Sequence, residues 1–176
     1  LGECQAALRE YRRITVGMPH AAAAHNNAGL CWRALSAHDH ATREFASSLA
    51  VLPTHIKAWN NYGLSLASRG ARRQAARAYQ RALDREPRYA IARLNYSALF
   101  FERQMLNRSL REVMEAVREA PTWMPARLQY GSLLYTLKRY QRAHLVLSAV
   151  ANEYPRLRQA VLFAGHAALA LRDWQT

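Results

Sequence analysis

The sequence predicts an all-α fold of stacked antiparallel helix pairs, and three columns of residues predict it. Pro19, Pro53, Pro87, Pro121 and Pro155 recur every 34 residues, with Pro125 alone off the ladder. A small residue recurs at the same interval as Gly29, Gly63, Ser97, Gly131 and Gly165. A second recurs as Ala7, Ala41, Ala75, Ser109 and Ala143, each followed four residues later by a larger apolar side chain: Tyr11, Phe45, Tyr79, Val113 and Leu147. The columns share one register without an insertion, the signature of a repeated supersecondary unit. One hairpin cannot bury its apolar face alone, so neighbours stack into a continuous core.

Taking Ile56 as position 1 of a repeat sets the elements in order. Residues 1–21 supply the second helix of a partial repeat, with Ala7 and Tyr11 at its packing positions. Complete repeats follow at 22–55, 56–89, 90–123 and 124–157, and residues 158–176 supply the first helix of a further partial repeat. Together they form one solenoid domain. In each repeat the small residue at position 8 of helix A, and Ala at position 20 of helix B, let the two backbones approach. The bulky residue at position 24 fills the space between them, so large and small side chains interdigitate. Proline at position 32 cannot continue helix B and stops it. The turn at position 15 carries Gly70 once, and Ser36, Gln104 and Lys138 elsewhere. The third repeat departs most, with Ser97 and Ser109 at both small positions and Arg93 at position 4. It is expected to be a degenerate repeat with looser packing.

The second repeat reads Trp59-Asn60-Asn61-Tyr62-Gly63, then Ala75, Tyr79, Ala82 and Pro87. This pattern resembles the tetratricopeptide repeat, and the resemblance extends over the whole chain. It implies a right-handed superhelical solenoid whose A helices line a concave groove. The chain begins and ends within a repeat, close to Trp174, and looks like a piece of a longer solenoid. Uncapped ends expose apolar surface, so self-association is an expectation.

Positions 2, 5, 6, 9, 12 and 13 share one face of helix A. The resemblance turns that face into the groove, where it would meet a protein or peptide segment. Position 6 reads Asn27, Asn61, Asn95, Gln129 and Phe163. A carboxamide both donates and accepts, and so can pair with a peptide group without reading sequence. The amide column resembles the repeat domain of O-linked N-acetylglucosamine transferases, which implies backbone capture of an extended peptide. The alternative is that these amides bond between adjacent repeats. The early part of the groove is polar, with Asn26, Arg33, Lys57 and Asn60; the later part is apolar, with Ile91, Leu94, Phe101, Leu128 and Tyr135. The apolar part is expected to take a partner segment or a further part of the full-length protein. The groove positions that correspond to a carboxylate clamp hold Asn26, Leu30, Asn61, Ile91 and Asn95, without its basic members, so a chaperone-type clamp is not expected.

The net charge is +13, and 23 of the 25 basic residues are Arg. Arg9, Arg43, Arg77 and Arg111 form a column at position 22 on an outer face. That face is either solvated or a contact for nucleic acid or anionic lipid; a protein segment is the favoured partner. The sequence carries no phosphate-cradling loop, nucleophile elbow or Cys-x-x-Cys pair, so no enzyme activity or cofactor is expected of this chain. His38-Asp39-His40 has too few ligands for a metal site and is expected in a surface turn. Cys4 and Cys31 are expected as small buried apolar side chains that leave the compartment open.

Overall fold

The computed structural model describes residues 2–18 and 20–174, and side chains up to Arg172; Pro19 and the Trp174 side chain lie outside the described residues. Ten helices run through these residues: α1 (Gly2–Gly17), α2 (Ala22–Ala34), α3 (His38–Val51), α4 (Ile56–Ser68), α5 (Arg72–Arg85), α6 (Ala90–Glu102), α7 (Leu106–Glu119), α8 (Met124–Thr136), α9 (Tyr140–Glu153) and α10 (Arg158–Trp174). The chain divides into two compact units, residues 1–87 and 88–176. In the first, α2 packs on α3 and α4 on α5, with α1–α2 and α3–α4 contacts joining the pairs. In the second, α6 packs on α7 and α8 on α9, with α7–α8 and α9–α10 contacts doing the same. The fold is the all-α hairpin array that the residue columns predict.

Each A-to-B turn follows one hydrogen-bonding scheme. Ser36 N–H donates to Arg33 O, and Ala37 N–H to Trp32 O; the same two bonds recur after α4, α6 and α8. This is the Schellman closure, which needs a left-handed residue just past the helix end. Gly70 takes that conformation at φ 76°, and Ser36, Gln104 and Lys138 take it at φ 58°, 57° and 58°. Three of the four turns therefore hold an L-residue where glycine is favoured.

The small residue at position 8 faces a side chain rather than a backbone. A Cβ on Gly29 would lie 2.6 Å from the Phe45 ring, on Gly63 2.7 Å from Tyr79, and on Gly131 2.6 Å from Leu147. Each glycine is the seat of the position-24 side chain of its own hairpin, and Phe45, Tyr79 and Leu147 are all fully buried. The third repeat exchanges the sizes: Ser97 replaces glycine and the smaller Val113 replaces the aromatic ring, and both are fully buried. Ser97 Oγ donates to Leu94 O, and Ser109 Oγ donates to Ser97 O, each at 2.9 Å. In this repeat the smaller Val113 accompanies the larger Ser97, and both serine hydroxyls are hydrogen-bonded.

Position 4 is compensated too. Arg93 Nη1 lies 2.9 Å from Glu112, and His25 Nδ1 lies 2.8 Å from Glu44, both half-buried ion-pair geometries between helices A and B. His38, Asp39 and His40 open α3 instead of lying in the turn before it, and His40 stacks on Trp32 at 4.6 Å. Cys4 and Cys31 are half-buried rather than enclosed. They face each other between α1 and α2; burial first, then the hydrogen bond with Cys4, pushes the Cys31 thiol pKa up.

Candidate functional site

In the first unit the amides of α2 and α4 form a chain. Asn61 Nδ2 donates to Asn26 Oδ1 at 3.1 Å, and Asn26 Nδ2 donates to Asn27 Oδ1 at 3.3 Å. Asn26 and its equivalent Asn60 are only 7% and 5% exposed, whereas Asn27 and Asn61 are half-buried. The buried position-5 amide is therefore a bridge, and the position-6 amides are its two accessible ends. Asn27 keeps Nδ2 as a donor and Asn61 keeps Oδ1 as an acceptor, with no protein partner for either among the described residues. Arg33 is half-buried and Lys57 exposed on the same two helices.

Below this chain, Ser48 Oγ donates to Ala22 O at 2.8 Å and has His55 Nδ1 at 3.2 Å. With the hydroxyl proton directed at the carbonyl, the imidazole must donate from Nδ1. Burial first, and the Lys57 charge second, hold the His55 pKa below its ordinary value.

In the second unit Leu94, Phe101, Leu128, Leu157 and Phe163 converge on a cleft of about 670 Å³. Leu94 and Phe101 come from α6, Leu128 from α8 and Phe163 from α10, all at the positions expected to share the groove face. Phe101 is 40% exposed. Gln129 reaches the same cleft, but its Nε2 donates to Ser97 Oγ at 2.7 Å, so this amide is held by the neighbouring helix. Three expected residues lie outside the cleft wall. Tyr135 sits in an aromatic cluster, 5.5 Å from Tyr140 and 6.3 Å from Phe163. Ile91 is exposed at the start of α6, and Asn95 is half-buried on the same helix. Met124 and Pro125 line the cleft without having been expected there. Pro125 stands in the first turn of α8, where proline is tolerated, and its signal was being the one proline off the ladder.

Arg9, Arg43, Arg77 and Arg111 are exposed on α1, α3, α5 and α7. No group of three His, Cys, Asp or Glu side chains gathers at metal-binding distance among the described residues. No helix among them is long and apolar enough to cross a membrane.

The sequence matches no protein-family model and no curated protein sequence. Its fold is that of solved tetratricopeptide-repeat proteins. A structure of PilF from Pseudomonas aeruginosa superposes with a TM-score of 0.87 at 18% identity, covering 99% of this chain and 79% of the other. The C-terminal part of a TPR repeat-containing protein from Cytophaga hutchinsonii gives 0.81 at 17% identity, covering 97% and 67%. YrrB, described as a TPR protein with an unusual peptide-binding site, gives 0.70 at 19% identity, covering 91% and 82%.

Proposed function

We propose that this chain is a non-catalytic protein-interaction module that binds a polypeptide segment carrying a large apolar side chain. The observation that carries the reading is the cleft walled by Leu94, Phe101, Leu128 and Phe163, whose aromatic and aliphatic groups stand open to a ligand. Burying an apolar side chain there contributes about 1.5–3 kcal/mol. The amide chain of the first unit is a separate polar feature that suits a peptide backbone. Asn27 offers a donor to a peptide carbonyl and Asn61 an acceptor to a peptide N–H, so extended backbone is held without regard to sequence. The peptide-binding site named for YrrB, a protein of the same fold, supports the same kind of role.

The test is selection from a random peptide display library on the wild-type chain. The reading expects enrichment of peptides with Phe, Leu, Trp or Met at a fixed place, and loss of their binding in Phe101→Ser and Leu128→Ser variants that keep their helicity. Selected peptides that bind those variants unchanged would refute it. A second reading, recruitment of substrate to an attached glycosyltransferase or other enzyme, is favoured by the amide column Asn27, Asn61 and Asn95. It requires a catalytic domain elsewhere in the same polypeptide, which the full-length gene sequence reveals or denies.

A further inference from the structure

The outer face of α5 differs from the other B helices in two independent ways. Arg73, Arg77, Arg81 and Arg85 succeed one another at four-residue intervals, all exposed. Each step advances about 6 Å along the helix, comparable with the step between phosphates of a nucleic acid strand. None of the four has an ion-pair partner among the described residues. The one carboxylate on the helix, Asp84, accepts a hydrogen bond from Gln80 at 3.0 Å. Some surface arginines elsewhere are neutralised, Arg69 by Asp39, Arg88 by Glu119 and Arg118 by Glu115, and those left free among the described residues, such as Arg9, Arg43 and Arg111, do not follow one another along a single helix as these four do.

The second difference is at position 4. In the other three complete repeats that position is His25, Arg93 or Arg127, and each meets a carboxylate on helix B: Glu44, Glu112 or Glu153. In the second repeat it is Trp59, and Ala78 stands where Glu44 and Glu112 stand in theirs. Beside these two residues lies a pocket of about 270 Å³ lined by Trp59, Tyr62, Gln74, Arg77, Ala78 and Arg81. The indole is fixed by its Nε1–H, which donates to Pro53 O at 2.9 Å, and Tyr62 stands edge-on to it at 6.3 Å. An aromatic floor with an arginine rim and an amide at its edge is the chemistry that stacks a base and holds its phosphates.

We propose that the arginine stripe of α5, with the Trp59–Tyr62 pocket beside it, binds single-stranded nucleic acid, independently of the peptide-binding cleft. The exposed side chains of α5 are Arg72, Arg73, Gln74, Arg77, Gln80, Arg81, Asp84 and Arg85, all polar. A helix that lies in a membrane surface needs apolar side chains to enter the headgroup layer, so an anionic bilayer is the poorer occupant.

The experiment is fluorescence anisotropy with 5′-labelled oligo(dT) and oligo(U) of fifteen nucleotides across a salt series. The expected slope of log K against log salt is about −3, from four phosphate contacts on a single strand. Arg77→Gln with Arg81→Gln should weaken binding about tenfold at low salt and bring the slope to about −1.5. Trp59→Leu should weaken it about tenfold with little change in slope. Because Trp59 is half-buried, circular dichroism must first show that this variant folds; the arginine pair is exposed and serves if it does not. Arg9→Gln with Arg111→Gln removes the same charge elsewhere and should leave binding unchanged. Equal loss in that control, absence of binding at low salt, or stronger binding to phosphatidylglycerol vesicles or a poly-glutamate peptide would overturn the proposal. Peptide binding to the cleft should be indifferent to the α5 variants, so the two proposals fail separately.

Discussion

Gly63 and Tyr79 are one packing unit: the absent side chain of the first is the space the ring of the second occupies, with a built Cβ only 2.7 Å from the ring edge. Ser97 and Val113 are the same unit with the bulk redistributed, and both are fully buried. Position 8 and position 24 therefore vary as a pair, and substituting one member alone overpacks or empties the seat.

Gly63→Ser is expected to cost about 1–3 kcal/mol by pressing on Tyr79. Adding Tyr79→Val rebuilds the Ser97–Val113 pair and should recover part of that loss, a coupling of about 0.5–3 kcal/mol in a double-mutant cycle. Thermal or urea unfolding measures it; additive single effects would mean that the ring and the glycine do not share space.

The left-handed turns make a separate prediction. Ser36→Gly, Gln104→Gly and Lys138→Gly relieve an L-residue at φ near 58° and should each raise stability by about 1 kcal/mol. Gly70→Ala, at φ 76°, should lower it by a similar amount. Denaturation midpoints of the four single variants decide the matter.

Asn26 is a structural amide as well as part of the candidate site. Removing it leaves Asn61 Nδ2 and Asn27 Oδ1 without their partner, so Asn26→Ala should cost about 1–3 kcal/mol. Asn27→Ala removes only the accessible end and should cost less stability while still weakening peptide binding. The comparison separates the amides that hold α2 to α4 from those offered to a ligand.

His55 gives the fold a pH dependence of known sign. Its folded pKa lies below the ordinary 6.5, so the unfolded chain takes up the proton more readily than the folded one. Its contribution is fully present above pH 6.5 and is lost as the pH falls through the lower folded value. Thermal midpoints of the wild type should therefore drop more steeply on acidification below 6.5 than those of His55→Gln. Parallel curves would show that the imidazole is indifferent to folding.

The helices were legible because the small and large residues that pack against each other must recur with the repeat: Gly29, Gly63 and Gly131 could not drift from Phe45, Tyr79 and Leu147 without a clash. One column at a time shows Ser97 as a departure, whereas its buried partner Val113 is visible only when the two columns are read together. Helical spacing alone puts Leu94, Phe101 and Leu128 on one face, and all three line the cleft. Spacing says which face a residue occupies and not what its neighbour does there. It therefore put Tyr135 on the wall, although Tyr140 and Phe163 claim its ring. For the same reason it could not show that Asn26 and Ser97 hold the ends of Asn61 and Gln129. The Trp59–Tyr62 pocket lies at the residue that best fits the repeat pattern, so the column that reveals the repeat does not reveal the pocket.

The central functional claim is that a polypeptide ligand seats its apolar side chain between α6, α8 and α10. Methyl and amide NMR chemical-shift mapping with a library-selected peptide tests it most directly. The largest changes are expected at Leu94, Phe101, Leu128 and Phe163, all on the cleft wall. Changes confined to the outer sides of α7 and α9, with those four residues unmoved, would contradict it.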